Sequence, residues 1–535
     1  MPVEFASPVY SDGIKQKTQT KFAGLDHTSG AADGAIFDMK NLTADEYPVA
    51  RPRDARAELR TLTKPNGICL FDEMYYVDGT SLRKLVNGTD ETDTVCGTVT
   101  DTPKKFACIG AYIIILPDKK YLNRLTGESG SLEAEWTGTA SFADGQYAGE
   151  DAEGCRIKTT GTEFPFKAGD AVEISGATDA GNNKTIIIRE ISDDKKDLGF
   201  YENSFTTATN QTLTLKRSVP DLDFICENEN RLWGCKGNTI YASKPGDPFN
   251  WNVFDGLASD SYAVDVGSAG NFTACVSYLG YPIFFKENRI YKVYGSKPSD
   301  FQVMSSATLG VLTGAERTLA VAGETLFYLS PVGILAYTGG IPENISMPFG
   351  TTRFTGGAGG SDGIRYFASL TADDGTTTLY CYDTRYGLWH KHDDLKAVGF
   401  ARGEGVTYQG AFALGDDGKI IRVSGTGSSD GWTPEGKISS MLEFADFIEG
   451  SPNKKSTAKI LLRVGLETGA SLTVELKSDG GAWKNVRTLP PSDKKSYYLP
   501  INIRRCDHFR IRLRGTGMWR LYSLTREASE GSPNK

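Results

Sequence analysis

The sequence predicts an all-β protein: a β-propeller of six or seven blades, with an inserted small β-barrel and a C-terminal β-sandwich. Three observations predict it: a recurring hairpin, a composition suited to short strands, and the lack of a long helical pattern. The chain has 535 residues, too long for one ordinary core. Its 60 glycines, 24 tyrosines and 26 phenylalanines are typical of short strands joined by many turns.

The recurring hairpin is clearest at residues 231–243. A strand at Arg231 to Cys235 is followed by a Lys236-Gly237-Asn238 turn and a second strand at Thr239 to Ser243. The same pattern recurs, usually after one more strand, at 71–86, 111–124, 231–243, 281–294, 324–337, 378–390 and 410–423. Such repeats predict propeller blades, since a blade buries its two apolar faces only against neighbouring blades. A pair of sandwiches is the alternative. Six blades would result if the first and last hairpins share one blade.

The remaining segments define the other domains. Residues 1–65 show little periodicity and are expected to form an extended N-terminal arm, lying on a neighbour or on the body of the same chain. The propeller is assigned to 66–126 and 219–423. Residues 127–218 interrupt the hairpins with short alternating strands, which predicts the inserted barrel. Residues 437–524 predict the sandwich, and 525–535 a loose polar tail.

Charge and cysteine content narrow the function classes. A net charge of -8 argues against a sequence-reading nucleic-acid binder, because such proteins gain affinity from Lys and Arg against phosphate. The nine cysteines are odd in number and lack a CxxC pair, so buried reduced thiols are expected. No apolar run is long enough to cross a bilayer, and the N-terminus lacks a secretory signal pattern. We expect no cofactor and no metal.

Candidate catalytic residues are few. His390 and His392 lie two residues apart, and we expect a partly exposed pair at a hairpin end rather than a metal site. The GxSxG match at 427–431 lies in a polar linker without the strand-to-helix context of a nucleophile. Phe249 and Trp251 could form a sugar-binding ledge, but packing between blades is the better interpretation. The sequence therefore predicts a protein that is not an enzyme.

One strand alternates strictly. Between His508 and Arg514, apolar residues occupy one side and Arg510, Arg512 and Arg514 the other. The pattern predicts a basic outward face, either solvated or in contact with an acidic partner or a phosphate. No aromatic residue interleaves with the arginines along this strand, so we do not expect a base-stacking platform.

Several segments resemble one protein family. The segments Asn230-Arg-Leu-Trp-Gly234, Ser243-Lys-Pro-Gly-Asp-Pro-Phe-Asn-Trp251 and Asp507-His-Phe-Arg-Ile-Arg-Leu513 resemble the tail hub or nozzle proteins of short-tailed bacteriophages, including packaged-DNA stabilisation proteins. The resemblance covers the propeller and the sandwich. The insertion at 127–218 departs from the simplest members.

The resemblance implies a structural virion protein. It would form a hexameric ring beneath the portal and adaptor, and double-stranded DNA would pass through the lumen without sequence recognition. Packaged DNA would be retained there until ejection. The arm would clamp the adaptor or an adjacent subunit, and the sandwich would project to a tail fibre, a needle or the cell surface. The rival classes are a receptor- or glycan-binding propeller at the tail tip and a propeller glycosidase.

Overall fold

The computed structural model describes residues 15–28, 30–86, 93–144, 154–201, 205–405, 407–425, 431–450 and 453–530. The chain divides into two compact units. The blade-barrel unit comprises Asn66–Val86 and Thr92–Glu316, and the blade-sandwich unit comprises Met1–Pro65, Asn87–Glu91 and Arg317–Lys535. Described secondary structure consists of strands and four short 3-10 helices, at Ala180–Asn182, Pro298–Asp300, Glu316–Thr318 and Met347–Phe349.

The N-terminal segment consists of short strands that pair elsewhere in the blade-sandwich unit. They are β1 (Lys15–Gln19), β2 (Ile36–Lys40), β3 (Leu42–Thr43), β4 (Arg51–Pro52) and β5 (Ala57–Thr61). Strands β3 and β4 pair with each other, whereas β1, β2 and β5 pair with strands hundreds of residues later. The described part of the predicted arm therefore lies on its own chain, one of the two expected positions.

The blade-barrel unit contains four four-stranded antiparallel sheets. Sheet 1 is β6 (Pro65–Phe71), β7 (Glu73–Asp78), β8 (Ser81–Lys84) and β9 (Thr94–Thr98); sheet 2 is β10 (Lys105–Ile109), β11 (Tyr112–Leu116), β12 (Lys120–Asn123) and β13 (Ser129–Ser131).

The inserted barrel follows sheet 2. Its strands are β14 (Ala134–Asp144), β15 (Cys155–Thr159), β16 (Ala171–Ser175), β17 (Thr185–Ile191), β18 (Asp197–Phe200) and β19 (Ala208–Arg217). They close in the order β14-β15-β18-β17-β16-β19 around an aromatic and aliphatic core that includes Trp136, Phe142 and Phe200. The predicted inserted barrel is confirmed.

Sheets 3 and 4 come after the barrel. Sheet 3 is β20 (Phe224–Asn228), β21 (Arg231–Lys236), β22 (Thr239–Ala242) and β23 (Tyr262–Asp265); sheet 4 is β24 (Ala274–Tyr278), β25 (Tyr281–Lys286), β26 (Arg289–Tyr294) and β27 (Gln302–Ser306). Sheets 3 and 4 pack face to face: Trp233 of sheet 3 and Phe284 of sheet 4 share one core cluster. Middle strands such as β25 are buried on both faces, so they read as continuous apolar runs instead of alternating ones.

The blade-sandwich unit adds three sheets of the same type. Sheet 5 is β28 (Ala320–Ala322), β29 (Thr325–Ser330), β30 (Gly333–Tyr337) and β31 (Glu343–Asn344); sheet 6 is β32 (Phe354–Ser361), β33 (Arg365–Ala372), β34 (Thr377–Asp383) and β35 (Leu388–Lys391). Sheet 7 is β36 (Ala397–Glu404), β37 (Gln409–Gly415) and β38 (Lys419–Ser424), extended by β5 and then β39 (Thr433–Pro434). The seven hairpins thus lie in seven different sheets of the described chain, and the first and last do not share one.

Sheet 6 contains a strand that the sequence does not predict. Strand β32 reads Phe-Thr-Gly-Gly-Ala-Gly-Gly-Ser, a composition that ordinarily disfavours a strand. A Cβ on Gly359 would clash with the Thr318 carbonyl, and one on Gly360 with the Phe400 side chain. Glycine is required because the strand approaches its neighbours too closely for side chains. The hairpin at 378–390 therefore forms the third and fourth strands of its sheet, not the second and third.

The sandwich has two sheets, and both include N-terminal strands. Its later strands are β40 (Ser439–Phe444), β41 (Lys455–Leu466), β42 (Ser471–Ser478), β43 (Lys484–Leu489), β44 (Ser492–Cys506), β45 (Phe509–Thr516) and β46 (Trp519–Glu530). One sheet has the order β1-β46-β41-β44 and the other β2-β40-β45-β42-β43. Trp519 of the first sheet is buried and donates its indole N–H to Ser440 Oγ of the second, at 2.9 Å.

The all-β fold with propeller blades, an inserted barrel and a C-terminal sandwich is confirmed. The C-terminal boundary is wrong, however. Strand β46 continues to Glu530, with Thr525 opposite Leu461 and Ala528 opposite Thr457, so residues 525–530 are not a loose tail. Pairing with a strand some 70 residues earlier in the chain is not visible in the local sequence.

Candidate interaction surface on the sandwich

The alternating strand that the sequence singles out is β45, at the centre of one sandwich sheet between β40 and β42. Phe509, Ile511 and Leu513 are fully buried in the core. The intervening arginines point away from it, as the alternation predicts. The structure therefore brings Arg510, Arg512 and Arg514 onto one outward face.

Arg510 is held by two carboxylates and an aromatic ring. Its guanidinium donates to both oxygens of Asp446, at 2.6 and 3.0 Å, and to Glu443 at 3.2 Å. It lies 4.4 Å from the ring centroid of Phe37, which belongs to β2. The hydrogen bond from Arg510 lowers the pKa of Asp446. A bidentate pair of this kind fixes the side chain in one geometry.

Arg512 and Arg514 share Glu475. Arg512 Nε donates to Glu475 at 2.7 Å, and its guanidinium stacks 4.0 Å from the ring centroid of Trp483. Arg514 Nε lies 3.4 Å from the same carboxylate, with 57% of its side chain exposed. Aromatic residues do lie on the arginine face, which corrects the expectation from the sequence. Phe37 and Trp483 come from outside β45.

The ion pairs of Arg510, Arg512 and Arg514 bear on the predicted contact of this face with an acidic partner or a phosphate. Three arginines on the strand are matched by Glu443, Asp446 and Glu475, so the face is largely neutralised within the domain. Arg514 is the most open of the three side chains. A partner contact at Arg510, Arg512 and Arg514 stays a prediction.

His390 and His392 are buried, so the expected partial exposure is wrong. Burial lowers the pKa of His390 to about 4. For His392, burial and the nearby cations of Arg56 and Arg53 hold the pKa well below its usual range. Both histidines are therefore neutral at physiological pH. In the described ranges, no group of three or more His, Cys, Asp or Glu side chains is placed to hold a metal ion.

A buried ionic cluster around His392 was not found from the sequence. Arg56 Nη1 donates to Asp393 at 2.7 Å, and its other terminal nitrogen lies 3.3 Å from His392 Nδ1. Arg53 bridges Glu435, at 2.7 and 2.8 Å, and Asp393 at 3.1 Å. The cluster ties the N-terminal segment to sheet 6 and to the residues that follow sheet 7. The one sequence signal for this cluster was the position of Arg53 and Arg56 just after Pro48 and Pro52.

The other candidate residues have structural roles or lie outside the description. Phe249 and Trp251 are buried in the cluster between sheets 2 and 3, which confirms the packing interpretation. The described cysteines are free thiols, five of them buried and four half-buried. The GxSxG match includes 427–430, which lie outside the described residues. No helix in the described part of the chain is both long and apolar enough to span a membrane.

Comparison with known proteins yields distant matches. No protein-family model matches the sequence, and no curated protein matches it. Among solved structures, an exo-β-1,3-galactanase from Phanerochaete chrysosporium aligns over 88% of this chain and 100% of its own, with 9% identity and a TM-score of 0.19. The N-terminal domain of Nup159 aligns over 76% and 99%, with 8% identity and a TM-score of 0.23. Scores this low support no inference about function.

Proposed function

We propose that this protein is a structural component of a bacteriophage tail, a nozzle or hub that forms a hexameric ring and continues the DNA channel below the portal and adaptor. The ring would retain packaged DNA until ejection. The proposal starts from the resemblance of the 230–251 and 507–513 segments to tail hub proteins. Two features of the chain support it: the pairing of the N-terminal strands with later strands, and the charge balance.

The observation that carries the proposal is the way the N-terminal strands close the later sheets. Strand β1 pairs with β46, β2 pairs with β40, and β5 pairs with β38. Each pair is antiparallel and joins segments far apart in sequence. A force on the sandwich or on sheet 7 is therefore shared by several ladders of hydrogen bonds instead of peeling one strand away. Mechanical closure of this kind suits a scaffold that withstands internal pressure.

The charge balance is compatible with passage of DNA. At -8 the chain is acidic, and many of its arginines are consumed by internal pairs such as Arg520 with Glu46 and Arg526 with Glu449. A wall without a large cationic surface does not trap a polyanion as it slides. Sequence-independent passage requires this behaviour.

The pairing of the N-terminal strands changes the role expected for the N-terminal arm. An arm free to clamp the adaptor or a neighbouring subunit is not available from 15–61, because β1 to β5 pair within the chain. We propose instead that the adaptor and neighbouring copies contact the outer surfaces of the folded chain. The tail fibre or needle would contact the sandwich.

Mass measurement tests the proposal most directly. The purified chain is analysed alone and after mixing with the portal and adaptor proteins of the same virion, by native mass spectrometry and electron microscopy of the products. The expected result is a sixfold ring that joins the neck complex. A monomer in both conditions would overturn the proposal, as would a trimer.

A further inference from the structure

The sandwich has a second outward face, on the sheet β1-β46-β41-β44. Along β41, Ile460, Leu462 and Val464 are fully buried in the core, so the residues between them point outward. The register places Leu461 opposite Tyr498 on one neighbour and Thr525 on the other.

Continuing along β41, Arg463 lies opposite Ser496 and Ser523. Directly paired residues of antiparallel strands point to the same side. Arg463 and the two serines therefore share one surface with Leu461 and Tyr498.

Two tyrosines lie on this surface, on either side of Arg463. Tyr498 is 54% exposed, and Lys459 Nζ lies 4.8 Å from its ring centroid. Tyr522 lies beside Gly465, in van der Waals range of where a Cβ would stand, and Lys494 Nζ lies 3.8 Å from the Tyr522 ring centroid. The two tyrosines belong to β44 and β46, the strands that flank β41 on its two sides.

The cations of this surface differ in their pairing. Lys459 pairs with Glu527 at 2.7 Å. Arg463 and Lys494 are exposed, and neither forms an ion pair with a carboxylate anywhere in the described residues. Arg510 and Arg512 of the other sheet have carboxylate partners, whereas Arg463 and Lys494 have none within the described residues, and Lys494 rests on the Tyr522 ring.

We propose that this face, the Tyr498 face (Lys459, Leu461, Arg463, Lys494, Tyr498 and Tyr522), binds an acidic polysaccharide. The ligand is a chain of sugar rings that carry carboxylate or phosphate groups. The apolar face of a sugar ring stacks on Tyr498, which offers a flat apolar surface with a polar edge. Ser496 and Ser523 supply hydroxyls for hydrogen bonds with sugar hydroxyls.

Charge complementarity selects an acidic sugar over a neutral one. The Arg463 guanidinium presents parallel N–H donors that match a carboxylate or a phosphate, and Lys494, two residues before Ser496 on the neighbouring strand, adds a point charge. A surface with two unpaired cations fits a polysaccharide with few charges better than a nucleic acid. Proteins bind nucleic acids tightly through many contacts with phosphate groups. This inference does not depend on ring formation and goes beyond the proposed function.

The test uses the full chain and four defined probes in isothermal titration calorimetry at low salt. The acidic probes are tetragalacturonate, which carries carboxylates, and a tetramannose bearing 6-phosphates. Maltotetraose is the neutral control, and an oligothymidylate of equal charge is the nucleic-acid control. We expect a dissociation constant below about 1 mM for at least one acidic sugar, and binding at least tenfold weaker for both controls. The two acidic probes distinguish carboxylate from phosphate recognition.

Variants locate the site. Tyr498→Ala and Arg463→Gln are each expected to weaken acidic-sugar binding at least tenfold. Matched controls are Tyr201→Ala, which removes a 70% exposed tyrosine from the barrel, and Arg487→Gln, which removes an exposed arginine from β43. Both controls are expected to bind as the parent does. All four positions are on the surface, so melting temperatures should stay within about 2 °C of the parent.

Three results would overturn the proposal. The first is no binding of either acidic sugar below 1 mM. The second is equal affinity for maltotetraose, or affinity unchanged by Tyr498→Ala and Arg463→Gln. The third is tighter binding of oligothymidylate that the same variants abolish, which would assign the face to nucleic acid.

Discussion

The two outward faces of the sandwich each carry cations, and two cations on the second face lack a carboxylate partner among the described residues. On the sheet that contains β45, Arg510 and Arg512 are locked by carboxylates and stacked on aromatic rings. On the sheet that contains β41, Arg463 and Lys494 stay open beside tyrosines. The first face shows a conspicuous alternation within one strand. The second face combines residues of β41, β44 and β46, so no single stretch of sequence predicts it.

The difference teaches that alternation in one strand reveals which way a charge points, but not whether the charge is free. Pairing is decided by neighbouring strands, which supply Glu443, Glu475 and Phe37 to one face and serines and tyrosines to the other. A paired arginine contributes to stability, whereas an open one is available to a ligand.

Arg526→Ala should be the most damaging substitution among the sandwich arginines. Arg526 and Glu449 are nearly inaccessible to solvent, joined at 2.7 Å, and Arg526 stacks 3.9 Å from the Phe447 ring centroid. Removing the cation leaves a buried carboxylate supported by the more exposed Lys17 alone. We expect the free energy of unfolding to fall by about 3–5 kcal/mol, measured by urea denaturation. A loss below about 1 kcal/mol, equal to that of Arg487→Ala, would contradict the assignment.

Arg512→Ala should cost less, because the site is closer to solvent. The substitution removes a charged hydrogen bond to Glu475 and a stacking contact with Trp483, together about 2 kcal/mol. Arg512→Lys keeps the charge but loses the planar stack, so it should lie between the parent and the alanine variant. Identical stabilities for all three proteins would show that the paired face contributes nothing.

On the paired face, acid should act through Asp446. Arg510 lowers the pKa of Asp446, so the folded state binds fewer protons than the unfolded state as the pH falls. The stabilisation is complete above the unfolded value near 4 and is lost as the pH falls through the folded pKa. Because Asp446 is partly exposed, we expect a loss below about 1 kcal/mol. Arg510→Ala should abolish this part of the acid dependence of urea midpoints, and Arg463→Gln should leave it intact.

The smallest effect is expected on the open face. Arg463→Gln removes no ion pair found in the described chain, so the free energy of unfolding should change by less than about 0.5 kcal/mol. The urea midpoint measures this directly. A loss of 2 kcal/mol, matching Arg512→Ala, would show that Arg463 is a structural residue and would remove the contrast between the faces.

Much of the architecture was predictable because its signals are local. Each blade hairpin combines a turn such as Lys236-Gly237-Asn238 with a strand buried on both faces, and both features lie within about 15 residues. Strand β32 escaped prediction because its glycines reflect close approach to Thr318, in the 3-10 helix before sheet 5, and to Phe400 of sheet 7. The end of β46 escaped for a related reason, since its partner is β41.

The candidate site was likewise predictable from the sequence only in part. The outward direction of Arg510, Arg512 and Arg514 follows from period-two alternation alone. Their neutralisation could not be predicted, because Glu443 and Glu475 lie on other strands. His390 and His392 looked exposed for the same reason, since the arginine that abuts His392 is 336 residues away.

The pairing of β1 with β46 also determines when the sandwich can close during synthesis of the chain. Gln16 emerges from the ribosome 511 residues before its partner Glu527. At typical synthesis rates the interval is roughly 25 to 100 s, during which β1 has no partner strand. The sandwich can therefore close only when the last strand has been made. Until then, β1 is an unpaired strand, and an unpaired strand edge in a nascent chain is prone to aggregation.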